Sequence, residues 1–408
     1  MRIRGGRAAG ATATSRRFTR RTLGLVAIAA AVEVAVVGED RPAAPLRLFP
    51  FQEGDRWGYI DAKGKVAIPP RYRWAEDFQD GLAGVEQDET VGFIDGRGEM
   101  VFTTPPGASI RMFSGGLVAY RAIDKYGFLD RRGKVIVEPR YDNVGQFSEG
   151  LAAVNLGAVS HGFPRPDLKE GGKWGFIDTT GKLVIPIRFD SVEYHGFSDG
   201  LARVTVGDER YDIDKAGKVA IRLDDPAAAP ERRIWSASAF SEGLAPAMRS
   251  TDDPGTARWG YIDTTGRFIV APRFDSAWDF SEGLACVGME KKVGFIDRAG
   301  RVVIRPRFEG AQEFSEGLAA VQQGGRWSFI DTKGQVVIPG RFNDVERFVG
   351  GLARVHEGGT FEIVHDAGAY WKGGAWSYIN RQGKVVHRCC QDRAGPGLDG
   401  PGYGRESR

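Results

Sequence analysis

Residues 56–72 read RWGYIDAKGKVAIPPRY, residues 173–189 KWGFIDTTGKLVIPIRF, residues 258–274 RWGYIDTTGRFIVAPRF and residues 326–342 RWSFIDTKGQVVIPGRF. Weaker copies start at Thr90, Lys125, Arg210 and Lys292, and a truncated ninth starts at Ala375 as AWSYINRQGKVV. Aligned on Trp57, Val91, Tyr126, Trp174, Tyr211, Trp259, Val293, Trp327 and Trp376, the copies are 34, 35, 48, 37, 48, 34, 34 and 49 residues apart. A base period near 34 with occasional insertions marks a tandem repeat.

Each copy has three parts. Trp-Gly-Tyr-Ile-Asp has the aromatic and aliphatic content of a short strand. Asp-x-x-Gly follows at an unvarying spacing, from Asp61/Gly64 to Asp331/Gly334, with Asn380/Gly383 last. An Asp or Asn side chain can accept the N–H two residues on, and glycine can close the hairpin in the left-handed region. Lys-Val-x-Ile-Pro is a second strand that proline should end, since it has no N–H to give the ladder. Phe-x-x-Gly, from Phe78/Gly81 to Phe348/Gly351, turns into a third strand, Leu-Ala-x-Val. The expected fold is therefore all-β: about nine three-stranded antiparallel units, stacked as an open or superhelical array or closed as a β-propeller. One such unit cannot bury both faces alone, so neighbours must share a core.

These strings resemble the WG-repeat family of bacterial proteins, also called KWG repeats, over roughly residues 56–388. The resemblance implies a β-rich repeat protein, often exported, and brings no catalytic residues with it. Copies at Thr90 and Arg210 depart most: Pro105-Pro106 replaces the usual strand end in one, and the other lacks the glycine after its aromatic.

Composition agrees with short strands and many turns, since glycine supplies 57 of 408 residues, about twice its usual share. The net charge of +3 hides an asymmetry, because residues 1–38 carry seven arginines against the single acid Glu33. The remaining chain is mildly acidic and offers no basic stripe for nucleic acid. Residues 1–38 read as a signal peptide or N-terminal anchor: basic up to Arg21, then apolar from Leu23 to Val37 around Glu33. That run is short of a membrane span. Residues 39–55 read as a linker, 56–388 as the array and 389–408 as a Gly-rich tail. An exported location follows: periplasmic, cell-surface or secreted.

Candidate chemistry is sparse. The acids Asp80, Glu149, Asp199, Glu242, Glu282 and Glu316 recur at one place before a glycine, which suits a turn and not the asymmetric pair of a hydrolase. His356, His365 and Asp366 share an insertion without a metal-ligand spacing, and His387, Cys389 and Cys390 cluster at the frayed end. No catalytic residue, cofactor site or metal site is assigned. The row of Trp57, Trp174, Trp259, Trp327 and Trp376 could stack sugars, but Val91 and Val293 occupy the same place, as a packed core would allow. Insertions over 155–172, 248–257 and 355–374 fall at one structural place, and Phe163, Tyr370 and Trp371 are their candidate recognition residues. The expected function is that of an exported, non-enzymatic scaffold binding a protein or a cell-envelope polymer. A carbohydrate-binding module is the alternative, and a hydrolase with its site in the insertions a further one.

Overall fold

In a computed structural model, the structure describes residues 47–389 except 105–108, 161–168, 194–195, 230–232, 250–256 and 365–367. The described residues are all-β. They form nine antiparallel blades, at residues 48–72, 74–103, 109–141, 143–189, 191–222, 234–274, 276–308, 310–342 and 344–388, numbered 1 to 9 here. Blades 2 to 9 have four strands and not the expected three. The additional strand comes first and is often only two residues long, as at Trp74–Ala75 or Asp344–Val345. It pairs with the Leu-Ala strand, as Trp74↔Glu86 and Asp344↔His356 show.

The Asp-x-x-Gly hairpin forms as its residues dictate. Asp61 Oδ1 accepts the N–H of Lys63 at 2.8 Å and of Lys65 at 2.9 Å, and Gly64 takes φ +80°. Asn380 does the same with Gln382 and Lys384, at 3.1 and 3.0 Å. Proline does not end the next strand, contrary to the expectation. Val336–Phe342 runs through Pro339, with its register against Arg326–Asp331 shifting on either side of Phe329. The extra residues bulge outward, so no ladder bond is asked of the proline.

That bulge explains the glycine of Trp-Gly. A Cβ on Gly58 would stand 2.5 Å from the Ile68 carbonyl oxygen and 2.7 Å from Pro70 N. Where Ser328 replaces the glycine, Gly340 stands in the place of Pro70. The two exchanges balance sterically.

Alternation along the Trp-Gly strand buries both faces of each blade. Tyr59 packs toward blade 2 with Ile68, Tyr72, Val85 and Ile94, whereas Ile60 packs toward blade 9 with Leu352 and Tyr378. Nine apolar clusters result, one at each junction, from blades 1 and 2 through to blades 8 and 9. The ninth joins blade 9 to blade 1 through Phe49, Phe51, Ile60, Leu352 and Tyr378. The ring is therefore closed, as a nine-bladed β-propeller, and the open stack gives way to the closed alternative. Closure also moves the start of the array. Leu48–Glu53, within the stretch expected as a linker, is a strand pairing with Arg56–Asp61, and Leu48, Phe49 and Phe51 are buried.

Polar clasps repeat beside the clusters. The serine of Phe-Ser-Glu-Gly donates to the phenylalanine carbonyl of the next blade: Ser281 to Phe314 at 2.7 Å, Ser315 to Phe348 at 2.6 Å. The adjoining acid accepts the next blade's glycine N–H: Glu149 from Gly200 at 3.0 Å, Glu282 from Gly317 and Glu316 from Gly351 at 2.8 Å. A third clasp runs from the Arg before the aromatic that ends the second strand. Arg188 donates to the Gly217 carbonyl at 2.8 Å and Arg307 to that of Gly334 at 2.7 Å. Each of these guanidinium groups also lies about 5 Å from its neighbouring ring. Blade 9 carries Val349-Gly350 where blades 4 to 8 carry serine and a carboxylate, so its turn has neither group to offer blade 1.

Candidate functional site

The recurring acids are structural. Asp80, Glu149, Asp199, Glu242, Glu282 and Glu316 all sit in tight turns with φ between 50° and 54°, and each accepts a backbone N–H from a following blade. The tryptophan row is half-buried, with Trp57, Trp174, Trp259 and Trp327 packed against the junction clusters. Arg354 covers the ring of Trp376 at 4.4 Å. These rings are parts of the wall and not a free platform.

Copy 5 needs a register correction. Arg203↔Asp212 and Leu201↔Asp214 pair as Ala320↔Phe329 and Leu318↔Asp331 do in blade 8. Arg210, not Tyr211, therefore occupies the tryptophan place, and Asp212 occupies that of the core aromatic. Asp212 and Arg203 are both buried and joined through two oxygens, at 2.8 and 3.1 Å. Arg203 also donates to the carbonyls of Ala237 and Ser238 in blade 6.

Of the predicted recognition residues, Phe163 lies outside the described residues. Tyr370 and Trp371 lie on Gly368–Lys372, which pairs with Thr360–Val364 as a hairpin on blade 9. Trp371 stacks on buried His356 with centroids 4.9 Å apart, meets Phe361 at 5.0 Å and donates Nε1 to Asp344 at 3.3 Å. Phe361 is 49% exposed and was not singled out from the sequence. The insertion of blade 4 likewise lengthens one hairpin, Leu151–Ser160 with Lys169–Asp178, at the same place in the unit. His161, His195, His365 and Cys390 are outside the described residues. His387 sits at the closure, its ring edge-on to Phe51 at 4.5 Å, and burial lowers its pKa.

Sequence reasoning missed a second feature. Two residues precede the phenylalanine of each Phe-x-x-Gly turn, and they do not recur: Glu76-Asp77, Gly145-Gln146, Trp278-Asp279, Gln312-Glu313, Glu346-Arg347. The backbone there is constant. Glu76, Gly145, Gln312 and Glu346 each donate N–H to the third residue of their Leu-Ala strand, at 2.8–2.9 Å. A column that varies among fixed neighbours was its signal in the sequence.

In blades 7 to 9 these pairs border one cleft of about 400 Å³, lined by Trp278, Cys286, Ala311, Gln312, Glu313, Glu346 and Arg347. Arg347 lies 3.8 Å from Glu313, Arg354 lies 3.5 Å from Glu346, and Gln312 Nε2 donates to the Val345 carbonyl at 3.0 Å. Burial, with the Glu313 charge adding to it, holds the Cys286 thiol far above its usual range. It is a small apolar floor and not a nucleophile.

The family described as WG containing repeat matches residues 57–90, 126–158, 174–209, 259–292, 294–327 and 327–361. No curated protein matches. Among solved structures, a crystal structure of a eukaryotic initiation factor is similar at 12% identity and TM-score 0.47, over 85% of each chain. Dipeptidyl peptidase 4 of Porphyromonas gingivalis is similar at 11% identity and TM-score 0.42, over 81% of this chain and 64% of that one. PorZ, a surface component of the type-IX secretion system of the same bacterium, is similar at 9% identity and TM-score 0.29, over 84% and 44%. Closure of the ring rests on the junction contacts above and not on these likenesses.

Proposed function

We propose, from the premise that this chain belongs to the family of WG containing repeat proteins, that it is an exported interaction scaffold that binds a protein or a cell-envelope polymer. One observation carries the reading. The recurring polar groups hold blade to blade, while the non-recurring residues gather in the hairpin extensions and in the variable column. Loops and rims on a rigid frame are where recognition resides. The aromatic pair Phe361 and Trp371 on the blade 9 extension suits a protein contact, because such side chains anchor interfaces. A scaffold is favoured over a catalyst because the carboxylates that recur are engaged by backbone N–H groups of the next blade. The basic, then apolar, residues 1–38 support export.

Blade 8 shows how to test the hairpin, since Gly324-Gly325 alone joins its two strands between Gln323 and Arg326. Excising residues 359–373 leaves Gly358-Gly374 as the same two-residue turn. Affinity capture from envelope extracts, with the whole chain beside this variant and Phe361→Ala, is expected to lose a partner in both. If the same partners are held throughout, the hairpin is not a recognition surface. N-terminal sequencing of the fractionated native protein reports the location and the fate of the leader.

A further inference from the structure

We propose that the cleft shared by blades 7, 8 and 9 is a saccharide subsite, taking a pyranose ring on the face of Trp278. This deepens the binding reading and rests on it for the source of the glycan, yet it uses a part of the ring that hairpin excision leaves intact. Trp278 stands apart from the tryptophans of the repeat row. It belongs to the variable column, and it keeps 42% of its surface exposed at the cleft mouth. A pyranose has an apolar C–H face that can lie on an indole and a polar rim of hydroxyls. The cleft supplies both surfaces, and its volume falls within the range of small-ligand sites, roughly 300–1,000 Å³.

The rim chemistry separates a sugar from a cation. Glu313 is compensated by Arg347 and Glu346 by Arg354, at 3.8 and 3.5 Å, so the acids do not stand as uncompensated charge. What remains is a set of planar groups, with guanidinium donors beside carboxylate acceptors and the Gln312 amide between. Hydroxyls both give and accept hydrogen bonds and are matched by such pairs. A lone ammonium would need an acid without its arginine. The frame is also fixed before any ligand arrives. Tyr261 holds the Trp278 carbonyl through its hydroxyl at 2.8 Å, and Gln312 and Glu346 are pinned through their N–H groups to Ala320 and Arg354. A backbone fixed in advance loses less freedom on binding.

The full chain is titrated calorimetrically with β-linked tetramers of glucose, N-acetylglucosamine and mannose, and with tetralysine as the rival cation. At least one saccharide is expected to bind with a Kd between about 10 μM and 1 mM. Trp278→Ala and Gln312→Ala should each weaken it tenfold or more, Trp278→Phe less, and binding should be equal at low and high salt. Thermal midpoints of the variants confirm that the ring is intact. The proposal is overturned if no tetramer binds or if binding is unchanged in both alanine variants. Tetralysine binding that fades with salt in place of sugar binding would make the cleft a cation site and overturn it too. Loss of partners on hairpin excision with sugar binding retained separates this proposal from the one before it.

Discussion

The junctions of blades 8 and 9 and of blades 5 and 6 are built on one plan with opposite chemistry. In the first, Ala320 faces Phe329 across the strands, and Phe329 meets Phe348 of blade 9 edge-on at 4.9 Å. In the second the same two places hold Arg203 and Asp212, buried and doubly bonded, with the arginine reaching carbonyls of blade 6. At these two places one junction sets a ring contact, the other an ion pair in low dielectric beside its apolar cluster. The difference teaches that the repeat constrains a pair of places jointly. Aspartate at the aromatic place is tolerable only because arginine replaced the small residue opposite it.

Separating the pair should give the largest effect. Asp212→Ala leaves a buried guanidinium without its carboxylate and should cost about 3–5 kcal/mol, read as a fall in the thermal or urea midpoint. The double change Arg203→Ala with Asp212→Phe copies blade 8. It should leave stability equal to the parent or raise it by about 1–4 kcal/mol, because well-packed apolar groups often outdo a buried pair. A double variant as weak as Asp212→Ala would mean that the ion pair and not its geometry holds the junction. The clasps come next. Glu282→Ala removes one charge-assisted bond to Gly317 and should cost about 1–2 kcal/mol by urea unfolding. The same change at Glu89, an exposed turn residue of blade 2 that is also at positive φ, serves as its control.

The smallest effect depends on pH. Burial, aided by Asp77, raises the Glu76 carboxyl to about 7 from its ordinary 4.5. An acid harder to ionise in the fold than in the open chain costs nothing below pH 4.5. Its penalty grows between 4.5 and 7 and is complete above. Glu76→Gln should therefore stabilise by about 1 kcal/mol at pH 8, a figure reduced for the solvent that reaches the group, and by nothing at pH 4. Equal gains at both would show packing and not ionisation as the cause.

Strands and turns were legible because their side chains are what make them. Asp61 accepts its two N–H groups wherever the spacing of three is kept, and the Trp-Gly strand alternates as its residues suggest. Four things were not. The first strand of each blade, such as Trp74–Ala75, has no side-chain signature, being placed by backbone pairing alone. The proline of Lys-Val-x-Ile-Pro suggests a strand end because it lacks a donor, whereas the bulge beside Pro339 removes the demand. Alignment on aromatics puts Tyr211 in the tryptophan place that Arg210 holds, because aspartate at a core place conceals the register. Leu48–Glu53 was hidden in an apparent linker because no Phe-x-x-Gly turn introduces it in the described chain. For the candidate cleft, sequence shows which column varies, but only the packing of blade on blade brings Trp278, Gln312 and Glu346 of successive blades onto one rim.

The seam between the last blade and the first has a consequence for the chain as it is made. Among the described residues no strand is shared there; side chains meet, and the Tyr378 hydroxyl bonds the Pro50 carbonyl at 2.8 Å. Phe49 and Phe51 emerge from the ribosome some three hundred residues before Leu352 and Tyr378, the groups that cover them. Until then Phe49 and Phe51 have no cover from blade 9, and an apolar flank left open in this way invites association with another chain. Closure within one chain and exchange of end blades between two chains would bury that flank with the same contacts.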